Sequence, residues 1–517
     1  MVKLFIDKMP VEAEEGATVL QAAEKAGISI PHLCFHKAFI PEGSCRMCLV
    51  EIEGLPKLEL ACSTRVREGM KVHTQSEKVS QTRKSVLEFL LAEHPLDCPI
   101  CDKAGECRLQ DYYAEYGLFE GEFREEKIKK DKKVELGKGL ILDRERCILC
   151  TRCVRFLREI TGTQELGVFN RGLASEISVY NGELVNNNYS GNLVQLCPVG
   201  AITHKDFRFK IRTWFLQSRE SICPLCSRGC SIYIESHPGF ARFPRKKRVY
   251  RIQARENQEV NGYWICDLGR FGYSCLNRPA SEGITLNLNH KKRAAGEEEA
   301  LGLVVEKVKR LLYMKKTGKI AVVATSWLSN EELFLIRKIF AADLKASRIY
   351  LVDPPDGESD SFLLTPERSP NRRGARELGF ESREVSLEEI AQDAQILFVF
   401  GNHLTHYYTL TEIQEAFAPI DKTFLFSPER GGLDSVADIV FPTCFIAEKG
   451  GSLTNVEGRT QHFSPALEPE GSSQPEWKLL LRLGEELRLN FGYYHGLRSP
   501  AGIFNDMVKE IPFFGKQ

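Results

Sequence analysis

Apolar and polar residues alternate through VKLFI at 2–6 and through VEAEE at 11–15, the two-residue period of half-buried strands. The spacing becomes helical in TVLQAAEKAG at 18–27, where Gly27 supplies a left-handed stop. After a loop, the runs LVEI and KLELAC predict a further hairpin, and SQTRKSVLEFLLAEH at 80–94 predicts an amphipathic helix running into His94. ISVYNGELV at 177–185 predicts a hairpin turned by Asn181 and Gly182. From about residue 290 the character changes. EEEALGLVVEKVKRLL and NEELFLIRKIF read as helices, while KIAVVAT, RIYLVD, AQILFVF and KTFLF read as strands. That alternation predicts an α/β layer with parallel strands.

Composition narrows the function classes. The 517 residues carry 70 basic and 70 acidic side chains, a net charge of zero that gives no support for a nucleic-acid partner. Hydrophobic content of 43% and charged content of 27% are ordinary for a globular protein. No apolar run approaches the roughly 20 residues that span a bilayer, and the first residues lack the apolar stretch of a signal peptide, so a cytosolic or membrane-peripheral protein is expected. Two basic runs, EEKIKKDKK at 125–133 and RFPRKKRVYR at 242–251, read as a solvated loop and a solvated hairpin; the sharper reading of the second is a contact for an acidic partner.

Cysteine changes this picture most. Of 17 cysteines, 15 lie between Cys34 and Cys266 in clusters with C-x2-C cores, which without an export signal reads as metal binding. Cys275 and Cys444 are left over and read as buried thiols. Cys34, Cys45, Cys48 and Cys62, spaced C-x10-C-x2-C-x13-C, can give two thiolates to each iron of a 2Fe–2S cluster, with the small residues before Cys45 letting backbone N–H groups approach the sulfides. His32 and His36 flank Cys34, but four cysteines make them superfluous as ligands. His94, Cys98, Cys101 and Cys107 follow as H-x3-C-x2-C-x5-C; three cysteines leave a 4Fe–4S cluster one ligand short, and His94 can supply it. Cys147, Cys150 and Cys153 form a C-x2-C-x2-C loop around three corners of a cube, closed by Cys197 before Pro198. Cys223, Cys226, Cys230 and Cys266 form the fourth group, for which a tetrahedral zinc site is the strongest rival. No G-x-G-x-x-G follows a strand and no Walker A motif is present, so no NADH chemistry and no catalytic residue is expected on this chain.

The groups and pattern changes divide the chain into 1–78, 79–140, 141–215, 216–275 and 276–517. In order, spacing and flanking sequence they resemble the family of the largest peripheral-arm iron–sulfur subunit of bacterial respiratory complex I, the NADH-quinone oxidoreductase. The likeness is tight over 1–275 and returns in EKGGSLTNVEGRTQ at 448–461. The fold it implies is α+β and multidomain. A β-grasp 2Fe–2S ferredoxin domain comes first, then a histidine-ligated 4Fe–4S domain and a 4Fe–4S ferredoxin-like domain. A molybdopterin-oxidoreductase-type 4Fe–4S domain and a shortened molybdopterin-oxidoreductase-like α/β domain complete it. The resemblance implies one 2Fe–2S and three 4Fe–4S clusters carrying electrons from a flavin and NADH-binding subunit to a ferredoxin-like 4Fe–4S subunit and on toward quinone, the fourth cluster off that path. It places the chain on the cytoplasmic side of the inner membrane, without a transmembrane segment of its own. Molybdopterin enzymes carry lysine two residues after the last cluster cysteine where this chain has Leu268, and Cys444 stands alone, so no working molybdenum site is expected. The alternatives are the equivalent wire of a soluble NAD-linked hydrogenase or formate dehydrogenase and, from another class, a zinc-bearing scaffold.

Overall fold

The structure is a computed structural model that describes every residue except 118–120, 122, 240–246, 278–282, 289–290, 430, 491–492 and 516–517. The chain divides into two compact units, Met1–Leu216 and Gln217–Gln517.

In the first unit, β1 (Val2–Ile6) and β2 (Met9–Ala13) form the expected hairpin, and β3 (Leu49–Ile52), β4 (Glu59–Leu60) and β5 (Lys71–His73) complete a five-stranded sheet in the order β2-β1-β5-β3-β4. The hairpin turn uses left-handed Asp7 and Lys8, and the Asp7 carboxylate repays that strain by accepting the backbone N–H and hydroxyl of Thr74. The helix Val19–Lys25 starts at a Thr18/Gln21 capping box and ends before Gly27 (φ +74°). Its buried face packs with Leu4, Ile6, Val50 and Val72, and Cys48 and Cys62 belong to this same apolar core.

The long helix Glu77–Ala92 is capped by Ser76 and delivers the chain to His94. The charged run that follows is exposed but not free. Lys127 Nζ donates to the Leu91 and Ala92 carbonyls at the end of that helix (2.6 and 2.8 Å), Ile128 N donates to Glu93, Lys130 Nζ donates to the Ser175 carbonyl, and Lys132 bridges Asp97 and Glu145 (2.7 and 2.8 Å). The run is the solvated loop expected, and its lysines also anchor it: Lys127 satisfies orphan C-terminal carbonyls of the helix, and Lys130 and Lys132 tie the loop to distant acceptors.

Beyond it, β6 (Val134–Gly137), β7 (Leu140–Leu142) and the later β10 (Ile202–His204) form one sheet, and β8 (Leu166–Phe169) pairs with β9 (Glu176–Val179). Asn181 and Gly182 do turn the chain with positive φ, but residues 183–185 do not pair back onto β9. Val185 instead buries its side chain completely and donates its N–H to Leu136 O, which outcompetes the local hairpin.

The second unit begins with the antiparallel sheet β11 (Gln217–Ile222), β12 (Ser231–Ser236) and β13 (Val249–Ala254). Of the second basic run, 242–246 lie outside the described residues; the rest turns inward, with buried Arg248 paired to Glu448 and Arg251 paired to Glu235. Next come β14 (Ile284–Leu288), β15 (Lys291–Ala295), β16 (Ile320–Ala324), β17 (Arg348–Leu351), β18 (Ile396–Phe400), β19 (Lys422–Ser427) and β20 (Ile439–Pro442). They make a seven-stranded sheet, β15-β14-β20-β19-β18-β16-β17, in which β16 to β20 run parallel. Both faces are covered, as parallel strands require. Phe398, Phe424, Phe426 and Phe441 pack under the helices Glu297–Tyr313 and Glu476–Glu486, while Val323, Leu397, Val399 and Leu425 face a second core. A last hairpin, β21 (Gly451–Thr454) with β22 (Thr460–Phe463), carries the segment 448–461. No helix among the described residues is long and apolar enough to cross a membrane.

Candidate metal centres

Of the first group, Cys34, Cys45 and Cys48 sit in the loop between the capped helix and β3, and Cys62 follows β4. All four thiols are buried, and they interact as two pairs: Cys34 with Cys45 and Cys48 with Cys62. The Cys45 thiol pulls Cys34 down to about 5 while the partner and burial push Cys45 up, and Cys48 stands to Cys62 as Cys45 does to Cys34. Backbone N–H groups of Leu33 and Cys34 donate to Cys45 Sγ (both 3.4 Å). Before Cys45, the Ser44 side chain bonds the Cys34 thiol, and Gly43 has φ +71° with Leu60 2.7 Å from where a Cβ would stand. His32 and His36 are half-buried and held neutral, burial lowering each to about 4; His32 bonds Ile30 O and Arg108 through its two ring nitrogens.

His94, Cys98, Cys101 and Cys107 line one cavity, together with Arg146 and Gly200. Burial, then the charge of Arg146, lowers His94 to about 4, so its imidazole is neutral, and its Nδ1 is buried without a hydrogen-bond partner. A neutral imidazole with an orphaned nitrogen beside three thiols is the donor set a metal cluster needs. Cys107 is also the N-cap of the helix Arg108–Tyr116, with burial pushing its thiol to about 11.

The third group winds through RCILCTRC with Leu149 and Thr151 both left-handed (φ +52° and +57°). Alternating hands of this kind turn successive N–H groups inward and make a concavity for negative charge. Burial pushes Cys147 to about 12 and Cys150 to about 11 against the opposing N–H groups of Leu149 and Arg152, and Cys153 rises as well. Cys197 arrives from the end of the helix Asn192–Leu196 and its charge is felt at all three. Thiols so buried cannot ionise together unless cations replace their protons, which is what metal binding does.

Two arginines in this loop reach the first group. Arg155, 1% exposed, donates one guanidinium nitrogen to both Cys34 O and Cys150 O, and Arg152 donates to Phe35 O and to Leu196 O (3.4 Å). On the other side, a Cβ at Gly200 would overlap Cys101 Sγ. The third group thus touches ligand residues of both the first and the second, although it follows both in sequence. First and second groups meet through flanking residues, His32 with Arg108 and Tyr112.

In the second unit, Cys223, Cys226, Cys230 and Cys266 are all at most 5% exposed and mutually close. Gly269 N donates to Cys266 Sγ (3.4 Å), and a Cβ at Gly269 would lie 3.0 Å from Cys223 Sγ, so only glycine lets the backbone approach both sulfurs. The segment 448–461 grips the loop between Cys226 and Cys230. Val456 N donates to Ser227 O (2.8 Å), Asn455 Nδ2 to Arg228 O (3.4 Å) and Gln461 Nε2 to Gly229 O (3.0 Å). Beneath it the buried ammonium of Lys449 is shared by Glu332 and Glu476 (both 2.7 Å). Leu268 is exposed, Cys444 is buried, and Cys275 is only half-buried, against the expectation of full burial. Among the described residues no three His, Cys, Asp or Glu side chains converge as ligands of one metal ion.

Family models match nearly the whole of this layout. They are a 2Fe–2S iron–sulfur cluster binding domain (1–77), the NADH-ubiquinone oxidoreductase-G iron–sulfur binding region (83–121), the ferredoxin-like domain of NADH-quinone oxidoreductase subunit 3 (137–203), the molybdopterin oxidoreductase Fe4S4 domain (216–278) and molybdopterin oxidoreductase (363–486). The chain is therefore an iron–sulfur protein of serial ferredoxin-type modules joined to a molybdopterin-oxidoreductase-type α/β region. Over about two thirds of its length it is homologous to the G-type subunit of NADH-quinone oxidoreductase. It is 40% identical to that subunit of Rickettsia felis (66% of this chain, 49% of the relative) and 39% identical to the NADH-ubiquinone oxidoreductase 75 kDa subunit of Reclinomonas americana (68% and 49%). The chain spans about half the length of these relatives. A chain of a solved NAD+-reducing [NiFe]-hydrogenase is 32% identical over 41% of this chain and 91% of that one, with a TM-score of 0.38.

Proposed function

We propose that this chain is an electron-transfer subunit of an NADH-quinone oxidoreductase, peripheral to the cytoplasmic side of the inner membrane. It takes electrons from a flavin and NADH-binding subunit and delivers them to a ferredoxin-like 4Fe–4S subunit. Cys34 and Cys45 would hold one iron of a 2Fe–2S cluster and Cys48 and Cys62 the other. His94 with Cys98, Cys101 and Cys107, the four cysteines of the third group, and the four of the fourth would each hold a 4Fe–4S cluster. When bound, such clusters supply one-electron carriers whose potentials follow ligand identity, hydrogen bonds to sulfur and burial. The observation that carries the reading is the contact order of the first unit. Arg155 joins a ligand residue of the first group to one of the third, and Gly200 lies against a ligand sulfur of the second. That arrangement supports a relay running first, third, second. The chain's own residues hold these groups in fixed register; no bond is made on any substrate.

Iron and acid-labile sulfide analysis of the purified chain is expected to give about 14 irons from one 2Fe–2S and three 4Fe–4S clusters. Zinc without sulfide would refute the proposal. His94→Cys is expected to keep a cluster and lower its midpoint, because a thiolate adds negative charge where the imidazole was neutral. An unaltered EPR spectrum and midpoint would remove His94 from the ligand set.

A further inference from the structure

We propose that Arg146 is a positioning residue that raises the reduction potential of the group on His94, Cys98, Cys101 and Cys107. It does so by presenting a fixed, buried guanidinium N–H to that group from the loop of the third. The inference rests on the reading that these four residues hold a 4Fe–4S cluster.

The Arg146 side chain is 3% exposed and lines the cavity walled by the four residues. Its orientation is set by two carboxylates: Nε and Nη2 donate to Asp97 Oδ2 (3.3 and 3.0 Å), and Nε also faces Asp143 Oδ2 (3.3 Å). Asp143 in turn accepts the backbone N–H groups of Glu145 and Arg146 (3.1 and 3.2 Å), so the backbone that launches the side chain is held as well. The remaining nitrogen, Nη1, is buried and has no hydrogen-bond partner. A guanidinium is a rigid planar fork, so fixing two of its nitrogens fixes the third. Its charge is felt at both Cys101 and His94. A bound cluster is the acceptor that this donor lacks.

The direction of the effect follows from charge. Reduction adds one negative charge to the second group, and a buried cation with an N–H donor stabilises that state, raising the potential. Arg146 immediately precedes Cys147, so one residue belongs to the third group by its backbone and to the second by its side chain. In the step concerned the third group is oxidised by one electron and the second reduced by one, with no bond or proton exchanged. Arg146 makes that step more favourable.

The test uses the full holo-chain and an EPR-monitored redox titration of the second group. Arg146→Gln is expected to shift the reduction equilibrium about tenfold toward the oxidised form, about 59 mV for one electron. Arg146→Lys is expected to hold most of the wild-type potential. Because Arg146→Gln strands two aspartates, Arg146→Gln with Asp143→Asn repeats the measurement with the local charge restored. A retained cluster with an unmoved midpoint overturns the proposal, and so does a Lys variant as low as the Gln variant, which would assign the effect to packing. If the Gln variants lose the cluster, wild-type chain grown with guanidino-15N arginine decides. A 15N coupling to the reduced second group supports the proposal and its absence overturns it. A wild-type chain with no 4Fe–4S signal at this site refutes the cluster reading itself.

Discussion

The segment around the second group and the parallel sheet of the second unit are opposite solutions to holding a chain together. Between residues 79 and 133 the buried apolar side chains among those described are only Val79, Leu87, Pro95, Ala104 and Leu109, and the remaining contacts are thiols, lysine straps and arginine–carboxylate pairs around a cavity. The sheet has continuous strands such as ILFVF and IAVVA with every position buried, and apolar cores on both faces. One region leaves its centre for a bound group to fill, whereas the other is complete in its own side chains. Burial of apolar area stabilises without any cofactor. A ring of converging thiols does not, because it awaits cations.

The sharpest way to break this comparison is to remove iron. Chelation under reducing conditions is expected to abolish hydrogen-exchange protection through 79–133 and the loop 28–48, while β16, β18 and β19 stay protected. Equal loss in both regions would mean that the sheet also depends on metal. Next in size, Gly200→Val is expected to lose about four of the expected irons, those of the second group. The new side chain overlaps Cys101 Sγ while leaving the first group untouched. Metal analysis with EPR reads the difference, and an unchanged iron content would show that the backbone at Gly200 does not shape this site.

Arg155→Met probes how the first unit is stapled. It removes the donor of the buried Cys34 carbonyl, at about 1–3 kcal/mol, and the bond to Ile40 O, whereas Cys150 O keeps the Thr151 hydroxyl (2.8 Å). A denaturant midpoint of the first unit that fails to fall would show water or another donor taking over. The smallest effect belongs to the second unit. Burial raises Glu331 to about 7, so the folded state binds its proton more tightly than the unfolded chain does. Its contribution is neutral below about 4.5 and becomes destabilising as pH climbs toward 7, then stays constant. Glu331→Gln is expected to remove that share of the pH slope in thermal unfolding. Glu476, also raised to about 7 by burial, leaves a residual slope beside Lys449 and Glu332.

Much of this was readable in one dimension because the controlling interactions are short. Apolar–polar alternation placed β1, continuous apolar runs placed the buried strands of the sheet, and Gly27 marked the end of the first helix. Readings failed where a distant partner outcompeted a local one. The turn at Asn181–Gly182 formed, but Leu136 claimed the N–H of Val185. The run 125–133 is solvated as read, but its anchoring was not legible, because its acceptors at Leu91, Asp97, Glu145 and Ser175 lie elsewhere in the chain.

The sequence by itself determined the four candidate ligand sets, since C-x2-C spacing is a local geometric requirement and the fourth ligand of each set was nameable by counting. Only the tertiary structure decided their neighbours. It set the third group against the first through Arg155 and against the second through Gly200 and Arg146. It brought the segment 448–461 onto the loop of the fourth group. Backbone carbonyls and the absence of a Cβ carry those contacts, and neither leaves a period or a spacing in the chain.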